Sequence, residues 1–139
     1  MIMKNFRLLQ FALALTLLTF VACNPDNEDE DPTPSEITGT WRAQESTNTY
    51  GSQNYYVDIS KDSADANKYY IDNFFNQGSG KDLSCTKSGS SISLSSAPFE
   101  GFVFSGTGSV ASNYKTITWN FTFDDGNGPE SGTATYTKL

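Results

Sequence analysis

One short run constrains the fold of this chain more than any other feature. In residues 116–123 the apolar side chains Ile117, Trp119, Phe121 and Phe123 alternate strictly with Thr or Asn. Successive side chains of a strand point to opposite faces, so this run predicts a β-strand with one buried and one wetted face. Seven other short runs are rich in Thr, Tyr, Phe, Ile and Val and are bounded by Gly, Ser, Asn or Asp, a pattern that predicts an all-β fold. These runs cover residues 37–49, 55–60, 68–76, 83–87, 92–95, 102–110 and 132–139.

The connections between the runs indicate which all-β architecture to expect. Every connection is short, and short links between successive strands give antiparallel neighbours in a meander. Eight meandering strands either close into an up-and-down barrel, which removes both sheet edges, or stack as two sheets. We therefore predict an eight-stranded antiparallel up-and-down barrel over residues 37–139, with a two-sheet sandwich as the alternative.

Two of the runs depart from simple alternation. In residues 68–76, a bulge near Asn73 would place Ile71 and Phe74 on the same side of the sheet. In residues 102–110, Gly106 and Gly108 interrupt the pattern. Glycine inside a strand often marks a bulge, so a bulge is expected there.

The first 36 residues have the composition of an export leader followed by a tether. Residues 1–7 are basic, residues 8–22 are mostly apolar, and Cys23 follows directly. A membrane-spanning helix needs roughly 20 apolar residues, so a signal peptide over residues 1–22 is favoured over a transmembrane anchor. Residues 24–36 are rich in proline and acidic side chains. With Cys23 they predict an extended tether over residues 23–36.

The end of the leader carries a resemblance to exported lipoproteins. Phe20-Val21-Ala22-Cys23 resembles a bacterial lipobox, in which the signal is cut before the cysteine and its sulfur is lipidated. The acidic run after Cys23 resembles the export signal of Bacteroidetes surface lipoproteins, although a solvated acidic spacer is the alternative. The resemblance implies a protein of the bacterial outer membrane, held at the cell surface by acyl chains such as palmitate on Cys23. Asp62-Ser63-Ala64 resembles the O-glycosylation motif of the same exported proteins, with Ser63 as the acceptor.

Composition excludes several classes of function. The chain has a net charge of −7 and no histidine. A surface without a basic patch cannot attract the phosphates of nucleic acid, so nucleic-acid binding is not expected. The lack of histidine excludes Ser-His-Asp and Cys-His catalysis and the usual zinc sites. If Cys23 is lipidated, Cys85 has no disulfide partner, and its alternating surroundings predict a buried, unreactive thiol. We expect neither an enzyme nor a bound metal or cofactor.

The start and end of the predicted barrel resemble a known family. Gly39-Thr40-Trp41 matches the Gly-x-Trp opening of lipocalin-like barrels, and Tyr136-Thr137-Lys138 matches their terminal Tyr-x-Lys or Arg. The resemblance extends over most of residues 37–139 and implies that Lys138 covers Trp41 at the closed end, through its aliphatic stem and a cation–π contact.

Two functions remain open from the sequence. An eight-stranded barrel is just wide enough to be filled by side chains or to hold one small ligand. A small apolar or amphipathic ligand would be lined by inward residues, for which the candidates are Trp41, Ile71, Val103, Trp119, Phe121 and Tyr136. The alternative is a surface interaction module with a filled core, binding protein or glycan through aromatic loops that carry Tyr50, Tyr55, Phe99 or Tyr114.

Overall fold

A computed structural model describes residues 35–139 of the chain. The predicted signal peptide, the lipidation candidate Cys23 and nearly all of the predicted tether lie outside the described residues. Eight strands account for most of the described chain. They are β1 (Gly39–Thr47), β2 (Gly51–Lys61), β3 (Lys68–Asp72), β4 (Asp82–Ser88), β5 (Ser91–Phe99), β6 (Phe102–Val110), β7 (Thr116–Asp124) and β8 (Pro129–Lys138). Within this part of the chain no helix is long and apolar enough to cross a membrane.

The strands form a closed antiparallel barrel in which every strand pairs with its neighbours in chain order. β1 closes the ring against β8, with a register that runs from Trp41 opposite Lys138 to Thr47 opposite Gly132. This pairing confirms the prediction of an eight-stranded up-and-down barrel, and the two-sheet alternative was wrong. Closure satisfies the backbone groups of both terminal strands, which an open sheet would expose.

The bulge lies in β5 and not in β6, where the two glycines led us to expect it. Between Leu94 and Ala97 the β5–β6 register shifts, so that residues 95 and 96 face Ser105 alone. Beyond Leu94, β5 has no pairing with β4, so Pro98 is tolerated on the side that lacks a ladder partner. Gly106 instead allows the β6 backbone to lie close to the backbone of β7, because a Cβ at this position would clash with the carbonyl oxygen of Asn120.

The third run ends as a strand at Asp72 and continues into a 3-10 turn, Phe74–Asn76, which we call the plug turn. Asn73, with φ 61°, turns the chain so that Phe74 is buried on the same side as Ile71. The two side chains therefore share the interior as anticipated, but a left-handed residue and not a bulge brings them together. Phe75 is buried as well.

Inward and outward side chains alternate along the strands as the sequence predicted, but one predicted inward residue was wrong. Of the six ligand-lining candidates, Val103 was placed on the wrong face, because its side chain is 41% exposed. Its neighbour Phe104 is fully buried and sets the inward parity of β6. Tyr55, named among the possible loop aromatics, lies inside β2 and is 7% exposed. The other five lining candidates, Trp41, Ile71, Trp119, Phe121 and Tyr136, are buried.

Candidate functional site

The closed end of the barrel is built around Trp41. Its indole Nε1 donates to the Ile37 carbonyl oxygen at 2.8 Å, and the Lys138 Nζ lies 5.2 Å from the ring centroid. Lys138 also donates to the Glu36 carbonyl oxygen at 2.6 Å. A Cβ at Gly39 would lie 3.7 Å from the Lys138 Cε. The structure thus brings together Gly39, Trp41 and Lys138, and partial burial lowers the pKa of Lys138.

Glu36, which the sequence analysis assigned to the tether, belongs to this closed end. Its carboxylate accepts a hydrogen bond from the Tyr69 hydroxyl at 2.6 Å and lies 3.6 Å from the Lys61 Nζ. The Tyr69 hydrogen bond is the main reason why the pKa of Glu36 is lowered. These contacts hold the chain across the end of the barrel at the position where β1 begins.

Aromatic rings fill the interior beside the plug turn. The Phe74 ring lies edge-on to Phe104, Trp119 and Phe121, with centroid distances of 5.1, 6.0 and 5.8 Å. Phe75 lies 4.8 Å from Phe123, again measured between ring centroids. The edge-to-face packing of Phe74 adds to the stability that burial of the rings already gives. The plug turn therefore occupies space that an open barrel would leave for a ligand.

Glycines on the inner face make room for these rings. A Cβ at Gly108 would lie 3.0 Å from the Trp119 indole, and one at Gly132 would lie 2.5 Å from the Phe121 ring. Real Cβ atoms do not approach neighbours so closely without displacing them. Trp119 and Phe121 consequently lie against bare backbone of the neighbouring strands, and the core is close-packed around them.

A polar cluster lies within this apolar interior. It consists of Glu45, Tyr55, Tyr136 and Trp119, all of them buried. The Tyr55 hydroxyl donates to Glu45 Oε2. Three other atoms of the cluster, Glu45 Oε1, the Tyr136 hydroxyl and Trp119 Nε1, have no hydrogen-bond partner within the described chain. Buried polar atoms are nearly always paired, so three orphans in one cluster are unusual.

Burial controls the protonation of this cluster. Desolvation raises the pKa of Glu45 from 4.5 to about 7, although the Tyr55 hydrogen bond acts in the opposite direction. Desolvation also raises the pKa of Tyr55 and that of Tyr136, and the negative charge of Glu45 raises both further. Near neutral pH the cluster therefore contains neutral tyrosines beside a carboxyl group that is close to its midpoint.

Sequence reasoning missed Glu45 and placed Tyr55 on an exposed loop, although the signal for a buried Glu45 was present. β1 alternates, and Glu45 has the same parity as Trp41 and Ala43. Continuing that alternation past Ala43 places the Glu45 carboxyl group inside the barrel. A charged residue at a core position is rarely buried without a partner or a function.

The remaining candidates from the sequence are Ser63 and Cys85. Ser63 is exposed in the β2–β3 loop, where the Asp62 carboxylate accepts hydrogen bonds from the backbone amides of Ala64 and Asp65. Cys85 is buried, and desolvation raises its pKa to about 12, so its thiol is protonated near neutral pH. Residues 35–139 contain no group of three or more acidic or cysteine side chains arranged to hold a metal ion.

Two of the cavities found in the described chain are open grooves on the outer face of the barrel. One, of about 260 Å³, crosses β8, β1 and β2, and its outward lining includes Gln44, Asn54 and Thr135. The other, of about 300 Å³, crosses β6, β7 and β8, with Asn120 and Thr122 in its outward lining. Both grooves are lined mainly by uncharged polar side chains.

Comparison with known proteins identifies the fold. No protein-family model and no curated protein matches the chain. Among solved structures, the barrel EF1p2_mFAP2b bound to DFHBI aligns with a TM-score of 0.53 and 13% identity, over 74% of this chain and 94% of that one. A redesigned β-barrel, b11L5F_LGL, aligns with a TM-score of 0.48 and 13% identity, over 74% of this chain and 91% of that one. At such low identity the first of these similarities shows a shared barrel fold.

Proposed function

We propose that this protein is a lipid-anchored, exported barrel that binds a small amphipathic molecule inside the barrel. The observation that carries the proposal is the polar cluster around Glu45, which lies beside aromatic rings in an otherwise apolar interior. Ligand sites are mostly apolar and contain a few convergent polar groups, often with shifted pKa values. The similar barrel EF1p2_mFAP2b was solved with DFHBI bound, and this analogy of fold adds support.

Binding requires space that the Phe74 ring fills in this structure, so the ligand would displace the plug turn. Phe75 has φ 57° and ψ 29°, a left-handed conformation that is an outlier for a bulky residue. Residues held in such regions cost about 1–3 kcal/mol each and cluster at ligand clamps and switches. This stored strain lowers the free energy needed to move the turn outward.

Displacement of Phe74 gives the experiment that tests the proposal. The full chain, expressed with its own leader and reconstituted into lipid nanodiscs, is dialysed against p-cresol and p-xylene, with empty nanodiscs as the partition control. Because a competing side chain reduces apparent affinity by the fraction of open protein, Phe74→Ala is expected to tighten binding of both probes at least about tenfold. Phe99→Ala, at a half-buried ring outside the Trp119 contacts, is the matched control and leaves the affinity unchanged. Absence of binding to both wild type and Phe74→Ala would refute the proposal.

Membrane attachment is a separate part of the proposal and rests on the lipobox-like segment that ends at Cys23. Only the cysteine thiol is able to take the diacylglyceryl group, so Cys23→Ser should abolish labelling of the protein by radioactive palmitate. A serine variant that is still labelled would show that the anchor reading is wrong. Surface exposure is measured separately, by digestion with protease added to whole cells.

The outer grooves favour a second candidate function, recognition of an uncharged glycan by the face of β7 and β8. Thr118 and Asn120 of β7 and Thr133 and Thr135 of β8 point outward in paired register. A face without charged side chains suits a neutral polymer whose hydroxyl groups form hydrogen bonds. Binding of the full chain to a neutral glycan array, lost in Thr133→Lys, would support this function, and an array without signal would exclude it.

A further inference from the structure

We infer that the polar cluster recognises a neutral hydroxyl group of the ligand, carried on an aromatic ring. This inference rests on the proposed binding function and specifies the chemical class of the ligand. It depends on the three buried atoms that have no hydrogen-bond partner among residues 35–139: Glu45 Oε1, the Tyr136 hydroxyl and Trp119 Nε1. Burying a polar atom without a partner is costly, so a bound group that pairs all three would remove a penalty that the free barrel carries.

The strand register places the three residues that carry these atoms next to one another on the inner face of the barrel. Trp119 pairs with Ala134, and Ala134 pairs with Glu45 on its other side. Trp119 and Glu45 therefore flank the small Ala134 side chain in one row of the barrel. Tyr136 lies one inward position further along β8, with its ring centroid 5.8 Å from that of Trp119. The Glu45 charge contributes to the raised pKa of Tyr136, as expected for groups that lie close together.

The chemistry of the three atoms selects a hydroxyl group. An indole N–H only donates, a carboxylate oxygen only accepts, and a phenol does either. A hydroxyl has one proton to donate and two lone pairs that accept. It is therefore able to donate to Glu45 Oε1 while accepting from Tyr136 and Trp119.

Other polar groups fit the same atoms less well. A ligand carboxylate would place a second negative charge beside Glu45, and like charges in a buried site repel strongly. An ammonium group has no lone pair to accept from Trp119 Nε1. A methyl group would leave all three atoms unpaired.

The apolar part of the ligand is defined by the ring that it would replace. Phe74 packs against Phe104, Trp119 and Phe121, so a single aromatic ring fits that space. A phenol combines this ring with the required hydroxyl.

Three probes that share a ring and differ in one substituent test the inference: p-cresol, p-xylene and p-toluate. The full chain in nanodiscs is dialysed against each at pH 8, with empty nanodiscs subtracted. We expect p-cresol to bind at least about tenfold more tightly than p-xylene, and p-toluate to show no binding. Equal affinity for p-cresol and p-xylene would overturn the inference, because water alone would then satisfy the cluster, yet it would leave the proposed function standing. Failure of all three probes to bind both wild type and Phe74→Ala would refute the proposed function itself.

Two substitutions locate the effect at the cluster. Tyr136→Phe removes a hydroxyl that makes no hydrogen bond of good geometry within residues 35–139, and its neighbour Tyr55 already donates to Glu45, so folding should be retained. It should weaken p-cresol binding about three- to tenfold and leave p-xylene binding unchanged. Tyr56→Phe makes the same change on the outer face of β2, where Tyr56 is 59% exposed, and should alter neither affinity. If Tyr136→Phe fails to fold, Trp119→Phe removes the indole donor and serves as the second variant. Unchanged selectivity for p-cresol in a folded variant would overturn the inference.

Discussion

Glu45 should make the stability of the barrel fall as the pH rises from 5 to 8, and Glu45→Gln should remove that dependence. The side chain is 3% exposed, and desolvation raises its pKa from 4.5 to about 7. Because the folded state holds the proton more tightly than the unfolded chain does, the stabilising contribution is complete below pH 4.5. It is lost progressively as the pH rises through about 7.

The size of the effect follows from the pKa shift. A shift of one unit corresponds to 1.36 kcal/mol, so a rise from 4.5 to about 7 is worth about 3 kcal/mol in total. Most of that change falls between pH 5 and pH 8, where we expect the free energy of unfolding to drop by about 2–3 kcal/mol. Glutamine resembles the neutral carboxyl group and keeps an oxygen that accepts from the Tyr55 hydroxyl. At pH 8 the variant should therefore be more stable than wild type, and at pH 5 nearly equal to it.

Between pH 5 and pH 8 the change in stability reports mainly on the Glu45 carboxyl group. The chain has no histidine, and Tyr55 and Tyr136, which face Glu45 from β2 and β8, have raised pKa values that place their titration well above pH 8. Burial likewise raises the pKa of Cys85 to about 12. Carboxylates with lowered pKa values, such as that of Glu36, are already ionised at pH 5.

Urea unfolding at pH 5, 6, 7 and 8, followed by tryptophan emission, measures the effect. Glu100→Gln is the matched control, since it makes the same change at an exposed carboxylate that pairs with Lys81 on the surface. The control should keep the wild-type slope of stability against pH. Either of two results would refute the idea that Glu45 is a buried carboxyl group with a raised pKa: a wild-type stability that does not change over this range, or a Glu45→Gln variant that keeps the wild-type slope.

Three further predictions concern the core and the closed end. Trp41→Ala should lower the free energy of unfolding by roughly 3–5 kcal/mol, as for a fully buried tryptophan, and an unchanged urea midpoint would contradict its place at the closed end. Lys138→Met should cost less, about 1 kcal/mol, because it loses the cation–π contact and the hydrogen bond to Glu36 but keeps the covering stem; a larger loss than for Trp41→Ala in the same assay would show this ranking to be wrong. Gly132→Ala should destabilise the barrel by about 1–3 kcal/mol because its Cβ would meet the Phe121 ring, whereas Ser131→Ala on the outer face should change the melting temperature little.

Strand alternation predicted most of the fold because it reports directly on burial. The run that contains Trp119 and Phe121 is buried residue by residue as its pattern indicates. Alternation failed in β6, where Phe102, Val103 and Phe104 are all apolar and either parity satisfies the pattern. Only the packing of Phe104 against the plug turn decides which parity is inward.

The candidate site was less predictable from sequence, for two physical reasons. The plug turn depends on left-handed conformations at Asn73 and Phe75, and nothing in the local sequence favours φ above zero for a phenylalanine. Tertiary packing of the two phenylalanine rings outweighs that local preference. The polar cluster joins Glu45 from β1 with Tyr136 from β8, and these residues become neighbours only when the ring closes.

The two tryptophans show most clearly that the polar cluster differs from ordinary core. Both are fully buried in the same barrel, so each indole N–H has lost its hydrogen bond to water. Trp41 recovers one from the Ile37 carbonyl oxygen, and the Lys138 ammonium group beside it also has a carbonyl partner. Trp119 Nε1 recovers none within the described chain. Since the fold satisfies the polar groups at its closed end, the unpaired atoms of the polar cluster are not a general cost of packing many rings into eight strands, and the hydroxyl group that we propose for the ligand would pair all three of them.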